Sequence, residues 1–198
     1  MDFHKIIDEF YKYYGMSVKE LSVPGFSGYE LDVYDLPHLL KFLKRSEYLR
    51  FTILTDLFAA DFIDRENRFE VVYSLLSLKF NKRILLKAKV PEGVKVPSVA
   101  NVFSAACWYE REIFDMFGIE FADSPDMRRI LTDYSFIGHP LRKDFPLSGH
   151  VQVKYDEVTS KVVYEPVSLE QEFREFDFSS PWSGPSEYNL PGDEKVTK

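Results

Sequence analysis

Few side chains in this 198-residue sequence combine reactivity with a spacing that chemistry could use. There is one cysteine, Cys107, so an internal disulfide is excluded. An iron–sulfur cluster normally takes about four thiolates, and a structural zinc ion about four Cys or His ligands. The four histidines, His4, His38, His139 and His150, are scattered, with no H-x-x-x-H pair among them. The chain is therefore expected to bind no metal or cofactor of its own. Asp56 and Asp61 fall near the end of a strand-like run and could form a general acid–base pair. That role needs a concave pocket and raised pKa values; a solvated or capping aspartate is commoner. Cys107, beside Trp108, reads as a small packed residue on a helix flank rather than a nucleophile. No Gly-rich dinucleotide or triphosphate cradle appears, nor a G-x-S-x-G elbow or kinase signature.

The elements that position these residues follow from apolar spacing. Residues 4–14 carry Ile6, Ile7, Phe10, Tyr11 and Tyr14 in helical order, closed by Gly15. Residues 29–34 alternate as a strand; Asp35 is placed to cap a helix over 36–45, with Pro37 in its first turn. Residues 49–62 read as a second strand. Nearly every residue of 69–78 is apolar, as in a strand covered on both faces. In 84–90, Ile84, Leu86, Ala88 and Val90 alternate with Leu85, Lys87 and Lys89, so the two runs predict an antiparallel hairpin.

Ser98 is expected to cap a helix reaching Phe117, with Gly118 as its stop. At ~100° per residue, Val99, Val102, Phe103, Ala106, Ile113, Phe114 and Phe117 share one face, with Glu110 near its centre. Trp108, Arg111 and Asp115 fall on the opposite side. Runs 151–155 and 161–164 read as a late hairpin. The order predicts an α+β fold: a two-layer domain with a mixed sheet packed on helices, over 1–150. A hairpin and an extended, coil-rich arm follow, over 151–198.

A composition of 25 basic and 32 acidic residues gives a net charge of −7. That balance is a poor footprint for nucleic acid or an anionic membrane surface. No run approaches the roughly 20 apolar residues that span a bilayer. The first residues resemble neither a secretory signal nor a transit peptide.

Three ordered blocks carry a resemblance. They are Trp108-Tyr109-Glu110-Arg111-Glu112-Ile113-Phe114-Asp115-Met116-Phe117-Gly118-Ile119, then Pro125-Asp126-Met127-Arg128-Arg129-Ile130-Leu131, then Gly138-His139-Pro140-Leu141-Arg142-Lys143-Asp144-Phe145-Pro146-Leu147. Upstream, Arg68-Phe69-Glu70-Val71-Val72-Tyr73 agrees as well. Together they resemble the C-subunit family of respiratory complex I, whose mitochondrial member is the 30-kDa-type subunit. The likeness runs from about Phe51 to Trp182.

What the resemblance implies is a non-redox scaffold in the peripheral arm of NADH:ubiquinone oxidoreductase, a proton-translocating enzyme. Its partners would be the quinone-site and iron–sulfur subunits. FMN, iron–sulfur clusters, NADH and ubiquinone would belong to the assembled complex and none to this chain, which alone would have no activity. The place would be the mitochondrial inner membrane on the matrix side, or the cytoplasmic face of the plasma membrane in a prokaryote. Related scaffolds serve membrane-bound hydrogenases and the chloroplast quinone reductase, and these stand as the alternative.

Within that frame the expected partner-facing residues are Trp108, Arg111, Asp115, Arg128 and Arg129. With them go His139, Arg142, Lys143 and Asp144 of a proline-stiffened loop, which costs little entropy to order against a partner. The aromatics of the arm, Phe173, Phe176, Phe178 and Trp182, complete the set. Arg111 and Asp115 are read as an exposed i,i+4 pair. Glu110 is read as a buried structural charge, since an unpaired carboxylate inside a protein is costly, with Arg128 or Arg129 as its partner.

Overall fold

The computed structural model describes residues 11–15, 18–23, 26–169 and 171. The chain divides into two compact units, Met1–Gly149 and His150–Lys198. In the first, alternating apolar residues build a five-stranded sheet. Its strands are β1 (Val18–Val23), β2 (Phe26–Leu31), β3 (Ile53–Asp61), β4 (Phe69–Ser77) and β5 (Lys82–Val90). Their spatial order is β1-β2-β5-β4-β3, and only β2 and β5 run parallel. The sheet is mixed, as the sequence predicts.

The β4–β5 hairpin pairs Phe69 with Val90 and Ser77 with Lys82. Asn81 makes the turn in the left-handed region, φ 49°, which asparagine tolerates better than most residues. Ile84, Leu86, Ala88 and Val90 are all buried, as their alternation requires. β1 pairs antiparallel with β2, an edge strand that its short polar sequence does not announce.

Helix α1 (Leu36–Arg45) buries Leu36, Leu39, Leu40 and Leu43. Each leucine so buried contributes roughly 1.5–3 kcal/mol of apolar transfer, so this face secures α1 to the core. Asp35 starts the helix through its backbone alone, its carbonyl accepting from Leu39 N at 3.1 Å, and its side chain makes no capping bond. The predicted side-chain cap is not there.

Helix α2 (Ala106–Phe117) is shorter than its apolar spacing suggests. Residues 98–105 form turns, with Val102 N and Phe103 N both donating to Val99 O at 2.9 Å. Ser98 caps that turn, its hydroxyl accepting from Ala100 N at 3.2 Å. Gly118 ends α2 at φ 75°, the left-handed C-cap that glycine adopts without a Cβ penalty. Two-residue strands β6 (Val96–Pro97) and β7 (Phe121–Ala122) pair in parallel and bring the ends of this crossover together.

In the second unit, β8 (Val151–Asp156) and β9 (Lys161–Pro166) form the expected antiparallel hairpin. Phe173, Phe176, Phe178 and Trp182 lie outside the described residues, as do residues 4–10 of the predicted N-terminal helix; residues 11–14 are helical.

Candidate functional site

Helix α2 holds the segment that follows it and part of the loop beyond. Glu110 is fully buried on the sheet-facing side. Its carboxylate accepts from Val99 N and from Ser98 Oγ, each at 2.8 Å. Burial pushes its pKa up, only partly offset by the Val99 N–H and the Ser98 and Ser124 hydroxyls. The predicted arginine partner is wrong. Arg129 is taken by Asp115, and Arg128 by Asp126.

Arg111 and Asp115 are buried too, on the side of α2 read as solvent-facing. They do not pair with each other. Arg111 Nε donates to Arg128 O at 2.9 Å and its Nη2 to Arg129 O at 3.1 Å. Asp115 Oδ2 accepts three consecutive backbone N–H groups, Ile130 at 3.1 Å, Leu131 at 2.8 Å and Thr132 at 2.8 Å. Its Oδ1 takes Arg129 Nη1 at 2.7 Å and the Thr132 hydroxyl. Burial alone would raise the Asp115 pKa; these hydrogen bonds outweigh it and hold the group well below the usual range.

An irregular segment, 126–132, is thereby fastened along α2 by two buried charges. Irregular backbone cannot satisfy itself as a helix does, and the helix side chains supply the missing donors and acceptors. Of the residues read as facing outward from α2, Trp108 does so, 62% exposed, with Arg111 5.2 Å from its ring centroid.

The loop at 138–147 is fastened the same way. His139 Nδ1 lies 3.0 Å from Asp115 O, and Leu141 N donates to Met116 O at 3.0 Å. These contacts satisfy carbonyls that the end of a helix leaves open. Arg68, at the start of β4, grips Asp61 side-on at 2.7 and 2.8 Å and also reaches Asp144 at 2.9 Å and Glu92 at 3.1 Å. Lys143 N donates to Asp61 Oδ2 at 2.8 Å. Arg142 pairs with Glu92 and Asp144 and lies 5.5 Å over the Phe69 ring. His139, Arg142 and Asp144 thus turn toward their own chain, and Lys143 is exposed.

An acid–base role for Asp56 and Asp61 fails on this geometry. The Arg68 hydrogen bond holds the Asp61 pKa below its ordinary value rather than above it, and exposed Asp56 caps Leu57 N at 2.8 Å. Arg68 and Glu92 belong to the site without having been singled out as site residues; Arg68 is signalled only as the first residue of a block that carries the resemblance, and Glu92 by nothing. Among the described residues no cluster of three potential metal ligands occurs, and no helix is long and apolar enough to cross a membrane.

Charged and apolar side chains both face solvent here, Arg128 and Lys143 among the former. Leu131, Tyr134, Ile137, Leu141 and Leu147 are exposed along and between the two fastened segments, Leu147 by 87%.

Residues 29–151 match the family model described as the respiratory-chain NADH dehydrogenase 30 Kd subunit. The chain is 56% identical over 196 residues to the C subunit of the NADH-quinone oxidoreductase of Rickettsia bellii, covering 99% of this chain and 100% of the relative. To that of Ruegeria sp. it is 57% identical over 157 residues, covering 79% and 78%. Among solved structures, a chain of the membrane-bound sulfane sulfur reductase, an archaeal respiratory membrane complex, aligns with TM-score 0.61 at 23% identity. That alignment covers 73% of this chain and 85% of that one, a likeness of fold. The chain belongs to the family of the 30-kDa subunit of respiratory-chain NADH dehydrogenase.

Proposed function

We propose that the chain is the 30-kDa-type C subunit of a proton-translocating NADH-quinone oxidoreductase, a part of the enzyme's peripheral arm that contributes position rather than chemistry. The observation that carries this reading is 56% identity to a relative of that name along the whole length of both chains. The geometry supports it. Buried charges are spent inside the chain: Arg111, Asp115 and Arg68 fasten the two irregular segments, and Glu110 holds the turn at Ser98 and Val99. A surface ordered before binding loses less entropy when a partner seats on it.

The partners are the quinone-site and iron–sulfur subunits of the same enzyme, met through the Leu131–Leu147 surface, Trp108 and the arm that holds Phe173, Phe176, Phe178 and Trp182. FMN, clusters, NADH and quinone belong to those neighbours. One cysteine and four dispersed histidines give this chain no ligand set for a cluster. The bacterial relatives favour the cytoplasmic face of a plasma membrane over the mitochondrial matrix.

The test is recovery of a tagged full-length chain from its host, with the co-purifying proteins identified by mass spectrometry. Recovery with the other subunits of an NADH-quinone oxidoreductase is expected. Recovery alone, or with the subunits of a hydrogenase, overturns the reading.

A further inference from the structure

A second surface lies away from the fastened segments. The end of α1 and the 99–103 turn enclose an open cleft of about 300 Å³, lined by Lys41, Lys44, Arg45, Thr52, Asn101 and Val102. Three of the six lining residues are cations and none is a carboxylate. Among the described residues none of the three cations forms an ion pair; Arg68, Lys87, Lys89, Lys95 and Arg142 each face an acid, while exposed Lys79, Lys82 and Arg83, like the three in the cleft, do not.

The negative end of a helix favours cations in its last turn, and Lys44 answers to that. It donates to Val102 O and lies 5.0 Å over the Phe103 ring, tying α1 to the turn. Arg45 lies in the same last turn, and neither it nor Lys41 forms an ion pair among the described residues. Both are exposed, and at i and i+4 on one helix face their like charges repel. Thr52 and Asn101, both exposed in the lining, add a hydroxyl and an amide that can donate hydrogen bonds. No aromatic or apolar wall offers a seat for a nucleobase, since the one apolar lining residue, Val102, is buried.

We propose that this cleft receives the carboxylates of an acidic segment on a neighbouring subunit, with Lys41 and Arg45 as charge partners and Thr52 and Asn101 as hydrogen-bond donors. The argument for that occupant is charge complementarity, together with a shallow opening that suits side chains from an adjoining surface. It rests on the assembly reading above.

Carbodiimide coupling tests it, because the reagent joins an amine to a carboxylate only when the two are in contact. In the purified complex, Lys41 is expected to couple to an Asp- or Glu-containing peptide of another subunit. Acetylation of Lys41 is expected to be at least tenfold slower in the complex than in the isolated full-length chain. Lys41→Glu with Arg45→Glu should lower the salt concentration at which the chain leaves the complex, with the two alanines intermediate and the melting temperature of the isolated chain unchanged. Intact complex in which Lys41 acetylates as fast as in the free chain overturns the proposal. So does protection that disappears on removal of phospholipid and yields no coupled peptide. Failure of the chain to co-purify with any subunit sinks the assembly reading itself, a separate outcome seen before any coupling is done.

Discussion

Arg68 and Asp61 meet side-on, Nε to Oδ1 at 2.7 Å and Nη2 to Oδ2 at 2.8 Å, with the Asp61 side chain wholly shielded from solvent. The two parallel bonds use the planar fork that lysine lacks. Through Asp144 and Glu92 the same guanidinium holds the 138–147 loop against the start of β4. Arg68→Ala is expected to cost ~3–5 kcal/mol, since it leaves a buried carboxylate uncompensated. Arg68→Lys should recover only part of that. Urea denaturation of the isolated chain measures both, and an Arg68→Ala midpoint equal to that of the parent would contradict the assignment.

Asp115 and Arg129 perform the same task for the 126–132 segment. Asp115→Asn keeps an acceptor for the three backbone N–H groups but strands the Arg129 charge, and is expected to cost about 3 kcal/mol. The informative readout is hydrogen exchange at Ile130, Leu131 and Thr132, whose amides should lose protection together. Loss of global stability with those three amides still protected would show that the carboxylate does not organise the segment.

The sign of the pH dependence separates Glu110 from Asp115. Glu110 has its folded pKa raised above 4.5, so its contribution is fully present below that value and is lost as pH rises through the folded one. Asp115 is depressed below 3.8, so its contribution is present above that value and is lost as pH falls. Glu110→Gln can keep its Oε1 on Val99 N while Ser98 turns to accept from the new amide. This variant is expected to lose the decline in stability above pH 4.5 and to be no less stable than the parent at pH 7. Denaturation midpoints at pH 4, 5.5 and 7 decide it; parallel curves for the two proteins would rule the assignment out.

The periodicities that need only one buried face were legible in the sequence. Ile84 to Val90 alternates because one side of β5 is core, and Leu36 to Leu43 repeats because one side of α1 is. The α2 region misled twice, for physical reasons. Val99, Val102 and Phe103 keep helical spacing because turns also bring residues three and four apart together. Arg111 and Asp115 look like a solvated pair because a helical wheel records apolar neighbours, and their neighbour is irregular backbone, which asks for charge and hydrogen bonds instead. The order of the blocks around Trp108, Pro125 and Gly138 carried the family. Their contact with one another, through Asp115 O, Asp115 Oδ2 and Gly138 O, has no periodic signature at all.

Gly118 and His139 are interlocked. A Cβ at position 118 would lie 2.6 Å from His139 Cδ2 and 2.7 Å from Nε2, at a φ that side chains adopt with strain. Gly118→Ala therefore combines the left-handed penalty of about 1–2 kcal/mol with displacement of a ring that bonds to Asp115 O and packs on Phe114. His139→Ala opens that space. The double variant is expected to be less destabilised than the sum of the two single ones, an interaction of at least about 0.5 kcal/mol. Strict additivity would place the cost of Gly118→Ala in its backbone alone.

Trp108 offers the cleanest division between folding and assembly. It projects from the same helix that buries Glu110, Arg111 and Asp115, yet it is 62% exposed, and among the described residues its ring meets the Arg111 guanidinium. An exposed cation–π contact contributes about 0.5–1 kcal/mol, so Trp108→Ala should shift the denaturation midpoint of the isolated chain only slightly. At a partner contact, by contrast, a tryptophan is among the residues whose truncation costs ~2 kcal/mol or more. Co-recovery of the variant with the remaining subunits should therefore fall by roughly thirtyfold or more in a competition against the parent chain, while its fold is kept. Equal recovery of the two would remove Trp108 from the interface. Arg111, already committed to Arg128 O and Arg129 O, would then be left with a purely internal role.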